Sequence, residues 1–172
     1  MLTRKTKYYE EFSDFVYYLF EQHTGARYGF FSVEETVSIK STEPVEIDVG
    51  QENPLAVDPN PDNVKNMRPD IVFVPFCPES ITNSLSQYKK YIKNISNLVD
   101  SEKFIYLCSL KNAMFYRSGE KKISATPVDE KIIVEELSRN GFVDFDVRTI
   151  VTKENKKSRR YKDTIYVWAR KK

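Results

Sequence analysis

A chain of 172 residues holds one domain, or a small domain with an arm, and 40% hydrophobic residues with 11 Phe and 11 Tyr suffice for a core. A formal charge of +2 points to neither nucleic acid nor membrane. No apolar run approaches the roughly 20 residues that span a bilayer, and residues 1–11 carry no apolar signal core, so a cytoplasmic protein is expected.

Taken in order, residues 8–22 read as a helix with Phe12, Phe15, Val16, Leu19 and Phe20 on one broad side. Residues 28–40 are ambiguous between strand and helix and lead to an expected strand near residues 45–49. Residues 51–69 are polar and carry Pro54, Pro59, Pro61 and Pro69, the composition of a loop. A short apolar run at residues 71–74 lies between two prolines and predicts a buried strand. Residues 82–100 follow with Leu85, Tyr88, Ile92, Ile95 and Val99 spaced by three and four, which puts one apolar stripe on a helix.

A second strand is predicted within residues 103–110 and a second helix over residues 128–137. That helix has Asp129 as an N-cap, or Thr126 with Pro127 at the first position, and Asn140-Gly141 as its stop. Between them, residues 115–120 and 122–125 suggest two short strands turning at Gly119. Residues 144–152 and 164–169 are the closing strands. Strand, helix, strand, helix predicts a parallel sheet covered by helices. Residues 47–49, 71–74 and 104–108 are expected as neighbouring parallel strands, with an antiparallel C-terminal strand pair at one edge.

Cys77 and Cys108 follow the two parallel strands and read as free, packed thiols. With His23 the only histidine, no metal-ligand spacing is present, and no catalytic residue is assigned. Residues 153–162 hold six basic residues in ten, which reads as a solvated hairpin loop rather than a phosphate-binding site. Asn94-Ile95-Ser96 matches a glycosylation sequon by chance on a helix.

The series Phe76-Cys77-Pro78-Glu79, Tyr88, Asn94-Ile95-Ser96-Asn97-Leu98, then residues 109–120, Pro127-Val128-Asp129-Glu130, Gly141-Phe142 and residues 165–171 resembles one family. It is the family of nicotinamide, phenylethanolamine and indolethylamine (thioether) N-methyltransferases. Asp48-Val49 and Asn53-Pro54-Leu55 fit it as well. The match is close from about residue 47 onward. Residues 1–45 therefore stand apart as a helix and poorly matched segment, and residues 46–172 as the C-terminal part of a methyltransferase-like domain. The resemblance implies a partial Rossmann-like class I methyltransferase sheet and S-adenosylmethionine as the methyl donor. Asp48, Val49, Pro75 and Phe76 match family positions at the donor. Tyr116, Ser109 and Ala113 match positions of the acceptor pocket, where a small amine or pyridine would bind.

The departures bear on activity. None of the five glycines forms the G-x-G of the family's Gly-rich loop, and the family's acid for the donor's ribose has no counterpart. Ser109 and Ala113 stand where family members carry acceptor-binding acids, and Ala125 replaces a pocket serine. Asp100-Ser101-Glu102 stands in place of Pro-Gly-Gly. Two readings follow: an N-methyltransferase whose first strands lie outside these residues, or a non-catalytic relative kept as a binding module. Membrane and nucleic-acid partners are not expected, and the residues do not reveal an oligomeric state.

Overall fold

Pro69 and the strand formers that follow it start the first ordered strand, β1 (Ile71–Pro75). The computed structural model describes residues 46–57, 67, 69–118, 120–151 and 163–172. The expected helix at residues 8–22, Gly119 and the basic loop at residues 153–162 lie outside the described residues.

β1 pairs in parallel with β2 (Phe104–Leu110), from Ile71 opposite Phe104 to Pro75 opposite Cys108. The connection is α1 (Leu85–Ser96), shorter than the expected 82–100. Ser84 caps it: its hydroxyl oxygen accepts from the Gln87 N–H at 3.4 Å. After β2 comes a separate hairpin of β3 (Phe115–Ser118) and β4 (Lys121–Ser124), with Tyr116 opposite Ile123. Helix α2 (Glu130–Arg139) starts at Asp129, whose carboxylate accepts from the Ile132 N–H at 2.9 Å. Asp129, not Thr126, is therefore the cap. The helix stops at Asn140, and Gly141 follows at φ +88°, where glycine meets no Cβ clash.

The chain then forms β5 (Phe142–Val151) and β6 (Asp163–Lys171), antiparallel to each other. β6 inserts between β2 and β5, giving the order β1-β2-β6-β5. The antiparallel pair expected at one edge is present, with β5 outermost.

Alternation places Val74, Ile105, Leu107, Ile165, Val167 and Ala169 on the helix side of the sheet. There they meet Tyr88, Ile92 and Ile95 of α1 and Ile133 and Leu137 of α2 in one buried cluster. Each large apolar side chain removed from water contributes about 1.5–3 kcal/mol, so this cluster dominates stability. The other side carries rings from three strands: Phe104 stacks on Trp168 at 4.9 Å between centroids, and Phe73 meets Tyr106 at 5.5 Å. Among the described residues, no helix is long and apolar enough to cross a membrane.

The expected strand at residues 47–49 does not form. Residues 46–48 are irregular and Val49-Gly50 is a turn. The Asp48 carboxylate accepts from the Gly50 N–H at 2.8 Å, and the Val49 carbonyl accepts from the Asn94 side-chain amide at 2.8 Å. These side-chain bonds occupy the Gly50 N–H and the Val49 carbonyl, which a strand ladder would need. Asn94 is also buried, so its sequon is closed to a sugar.

Candidate functional site

In an open α/β sheet the ligand crevice lies beyond the carboxyl ends of the strands. Two parallel strands end there. β1 ends at Pro75, and Phe76 follows at φ +50°, 41% exposed. The left-handed region disfavours a β-carbon by about 1–2 kcal/mol. The Phe76 N–H donates to the Cys108 carbonyl at 2.8 Å and helps hold this conformation.

Behind Phe76 the chain turns inward and buries Glu79 completely. The Ser109 hydroxyl donates to one carboxylate oxygen and the Leu110 N–H to the other, both at 3.2 Å. The Glu79 carbonyl accepts from the Thr126 N–H at 2.8 Å, and the Thr126 hydroxyl donates to the Thr82 carbonyl at 2.9 Å. One acidic residue thus ties together the end of β1, the end of β2 and the strand leaving the hairpin. Burial raises the Glu79 pKa above the ordinary carboxylate range, against the hydrogen bonds that favour its charged form.

Nearby groups feel the same site. Burial, then the Glu79 charge, pushes the Cys108 thiol up to about 12 and raises that of Cys77. Both cysteines are free, and these shifts make them poor nucleophiles. Tyr88 is fully buried, its hydroxyl has no hydrogen-bond partner among the described residues, and burial with the Glu79 and Glu136 charges drives its pKa up.

At the outer end of β2, burial works against the Glu130 carboxylate. Hydrogen bonds from Lys111 and Thr149 outweigh it and hold the pKa down to about 2.

The positions assigned by resemblance fall into three places. Pro75 and Phe76 stand exposed on the carboxyl rim. Asp48 and Val49 lie beside the C-terminal half of α1. Their neighbour Ile47 shares a cleft with Ile71 and Leu98 at the amino end of β1, and no hydrogen bond joins them to the rim among the described residues. Ser109 and Ala113 are both fully buried, with the Ser109 hydroxyl turned to Glu79.

Tyr116 is half-buried and lines an open cleft of about 500 Å³ with Ser80, Thr82, Asn83, Ile123 and Ser124. Sequence reasoning missed Glu79 and this cleft. The signal for Glu79 is an acid just after a strand end, between Pro78 and Ser80, where a solvated loop would be the default. Among the described residues, no group of three or more His, Cys, Asp or Glu gathers for a metal.

Two parallel strands with a crossover helix, an antiparallel strand inserted beside them and polar groups on the carboxyl rim define part of a Rossmann-like class I methyltransferase sheet. Residues 19–172 match the NNMT/PNMT/TEMT family, and the chain belongs to that family of methyltransferases. It is 27% identical over 128 residues to phenylethanolamine N-methyltransferase of Sus scrofa, covering 73% of this chain and 44% of that protein. With the Homo sapiens enzyme of the same name it shares 28% over 106 residues, 61% of this chain and 36% of that protein. The chain thus spans less than half the length of these curated relatives. Among solved structures, a SAM-dependent methyltransferase from Methanosarcina mazei superposes with a TM-score of 0.44 at 15% identity, covering 59% of this chain and 58% of that one.

Proposed function

We propose that these residues form the acceptor side of an S-adenosylmethionine-dependent N-methyltransferase site for a small amine or pyridine. The observation that carries this reading is the convergence of Phe76, buried Glu79 and the Tyr116 cleft at the carboxyl ends of parallel β1 and β2. S-adenosylmethionine supplies a methyl group on a sulfonium, already joined to a good leaving group. What remains for the protein is to hold two molecules in line and exclude water.

The exposed Phe76 ring, fixed by the strained backbone, fits the flat, partly cationic donor. Pro75 beside it lacks an N–H and leaves the rim apolar. Asp48 and Val49 would have to reach the rim from their turn beside α1. Glu79 holds the floor of the acceptor cleft through Ser109 and Thr126. The absence of any G-x-G among the five glycines supports a second reading for these 172 residues by themselves, a binding module of methyltransferase ancestry.

Titration calorimetry with S-adenosylhomocysteine tests the donor site. Binding is expected to be weak, and Phe76→Ala should reduce it about tenfold, the loss of roughly one stacking contact. If Asp48→Ala reduces it equally, the site includes all four residues. If Asp48→Ala leaves it unchanged, the donor is held at the β1 rim alone. Unaltered affinity in Phe76→Ala would remove the rim from the site.

A further inference from the structure

The hydroxyl of Tyr88 is out of keeping with its surroundings. The ring belongs to the apolar cluster with Val74, Ile92 and Ile133, and the residue is 0% exposed. Its oxygen has no hydrogen-bond partner among the described residues. Buried hydroxyls are rarely left so, because a group that loses water and gains no partner keeps the whole desolvation cost. A phenylalanine would fill the same space without that cost.

Two carboxylates act on this hydroxyl, the Glu79 charge more strongly than the Glu136 charge. Oε1 of Glu136 is held by the Lys89 ammonium at 3.0 Å and by the Arg139 guanidinium. Glu79 has capacity to spare. Its two oxygens accept one hydrogen bond each, from Ser109 and Leu110, and a carboxylate offers about four acceptor sites. Glu79 is as fully buried as Tyr88, so bulk solvent does not reach those sites. The phenol and the carboxylate lie beyond direct hydrogen-bond distance. A buried donor facing a buried acceptor across such a gap is the setting for a bridging water.

We infer that the fold contains a binding site for one buried water molecule, which accepts the Tyr88 O–H and donates to the Glu79 carboxylate. The bridge has a consequence at the rim. Tyr88 closes the first turn of α1, its N–H donating to the Ser84 carbonyl at 2.9 Å, and Glu79 is fixed to β2. Ser80, Ile81, Thr82 and Asn83, which line the cleft beside Tyr116, lie in the chain between the two. The water therefore closes residues 79–88 into a ring and holds the cleft-lining segment from both ends, whatever ligand the cleft takes.

Oxygen-17 magnetic relaxation dispersion on the full chain counts long-lived internal waters. Tyr88→Phe should remove one from that count and lower the folding equilibrium constant about tenfold in urea unfolding. Tyr91→Phe, the same change at a half-buried position of α1, should leave the count as it is. An unaltered count in Tyr88→Phe overturns the inference. So does unchanged or raised stability, the result for a hydroxyl with no partner at all. A loss of stability with the count unaltered means that the hydroxyl reaches a protein group directly, and overturns it too. The Leu110 N–H, which shares Glu79 with the water, gives a test that needs no variant. In the nitrogen-15-labelled chain it should show a rotating-frame Overhauser cross-peak to a bound water, and absence of that cross-peak overturns the inference.

Discussion

Glu79 is the residue whose placement most shapes the site, because three chain segments hang on its polar atoms. Its carboxyl is easier to bury neutral than charged, so its folded-state pKa lies above that of the unfolded chain. The sign follows from proton binding. The folded state holds the proton more tightly, so this contribution to stability is fully present below the unfolded pKa of about 4.3 and is lost as pH rises through the raised folded value. Glu79→Gln keeps the shape and one acceptor for the Leu110 N–H but cannot ionise. Thermal unfolding from mildly acidic to mildly alkaline pH should show a flatter stability profile for the variant, with its relative gain at the alkaline end. A profile parallel to the unaltered chain would mean that Glu79 does not titrate there. Little of this was legible beforehand. Glutamate is almost never fully buried without a partner, so a loop glutamate gives no warning. Ser109 and Ala113 could be placed by resemblance, yet which way their side chains face depends on strand alternation and on what lies behind the strand.

At the scale of elements the sequence was more readable. Spacings of three and four located α1 and α2 because each must bury one stripe, and Tyr88, Ile92, Ile95, Ile133 and Leu137 are those stripes. Boundaries were less readable. Thr82 and Ser84 both suit a helix start; the Ser84 N–H donates to the Thr82 hydroxyl oxygen, leaving Ser84 as the cap. The strand expected at residues 47–49 failed because the Asp48 carboxylate accepts from the Gly50 N–H two residues on, which favours a local turn. The Asp100-Ser101-Glu102 turn shows what a missing glycine entails. Glu102 takes φ +63°, and its backbone N–H, donating to the Lys171 carbonyl, and its carboxylate, paired with Arg170, hold it there. The cap of α2 gives a measurable case. Asp129→Ala should lower stability by about 1 kcal/mol in denaturant unfolding, with the slope unchanged. A loss below about 0.3 kcal/mol would show that the Ile132 N–H finds another acceptor.

Across the whole molecule, three strands of the described four-stranded sheet run one way and only β6 opposes them, and an open cleft lined by Tyr116 lies at the hairpin beyond β2. Phosphate- and nucleotide-like groups are usually held by backbone N–H groups of a Gly-rich turn, and no G-x-G is present to make one. Losing two or three contacts of about 1–3 kcal/mol each weakens binding by orders of magnitude. Purified by itself, the chain is expected to methylate nicotinamide and simple arylamines at a negligible rate in a radiolabelled methyl-transfer assay, with a full-length family enzyme as control. Turnover within about tenfold of that control would mean that a donor site is built from other residues.

The position of β6 also bears on synthesis. A ribosome delivers β2 and β5 before the strand that must lie between them. The nascent chain therefore cannot extend its sheet strand by strand beyond β2, and the apolar edges of β2 and β5 stay open until residues 163–171 have emerged. That interval is when unpaired edges are most exposed to pairing with other chains.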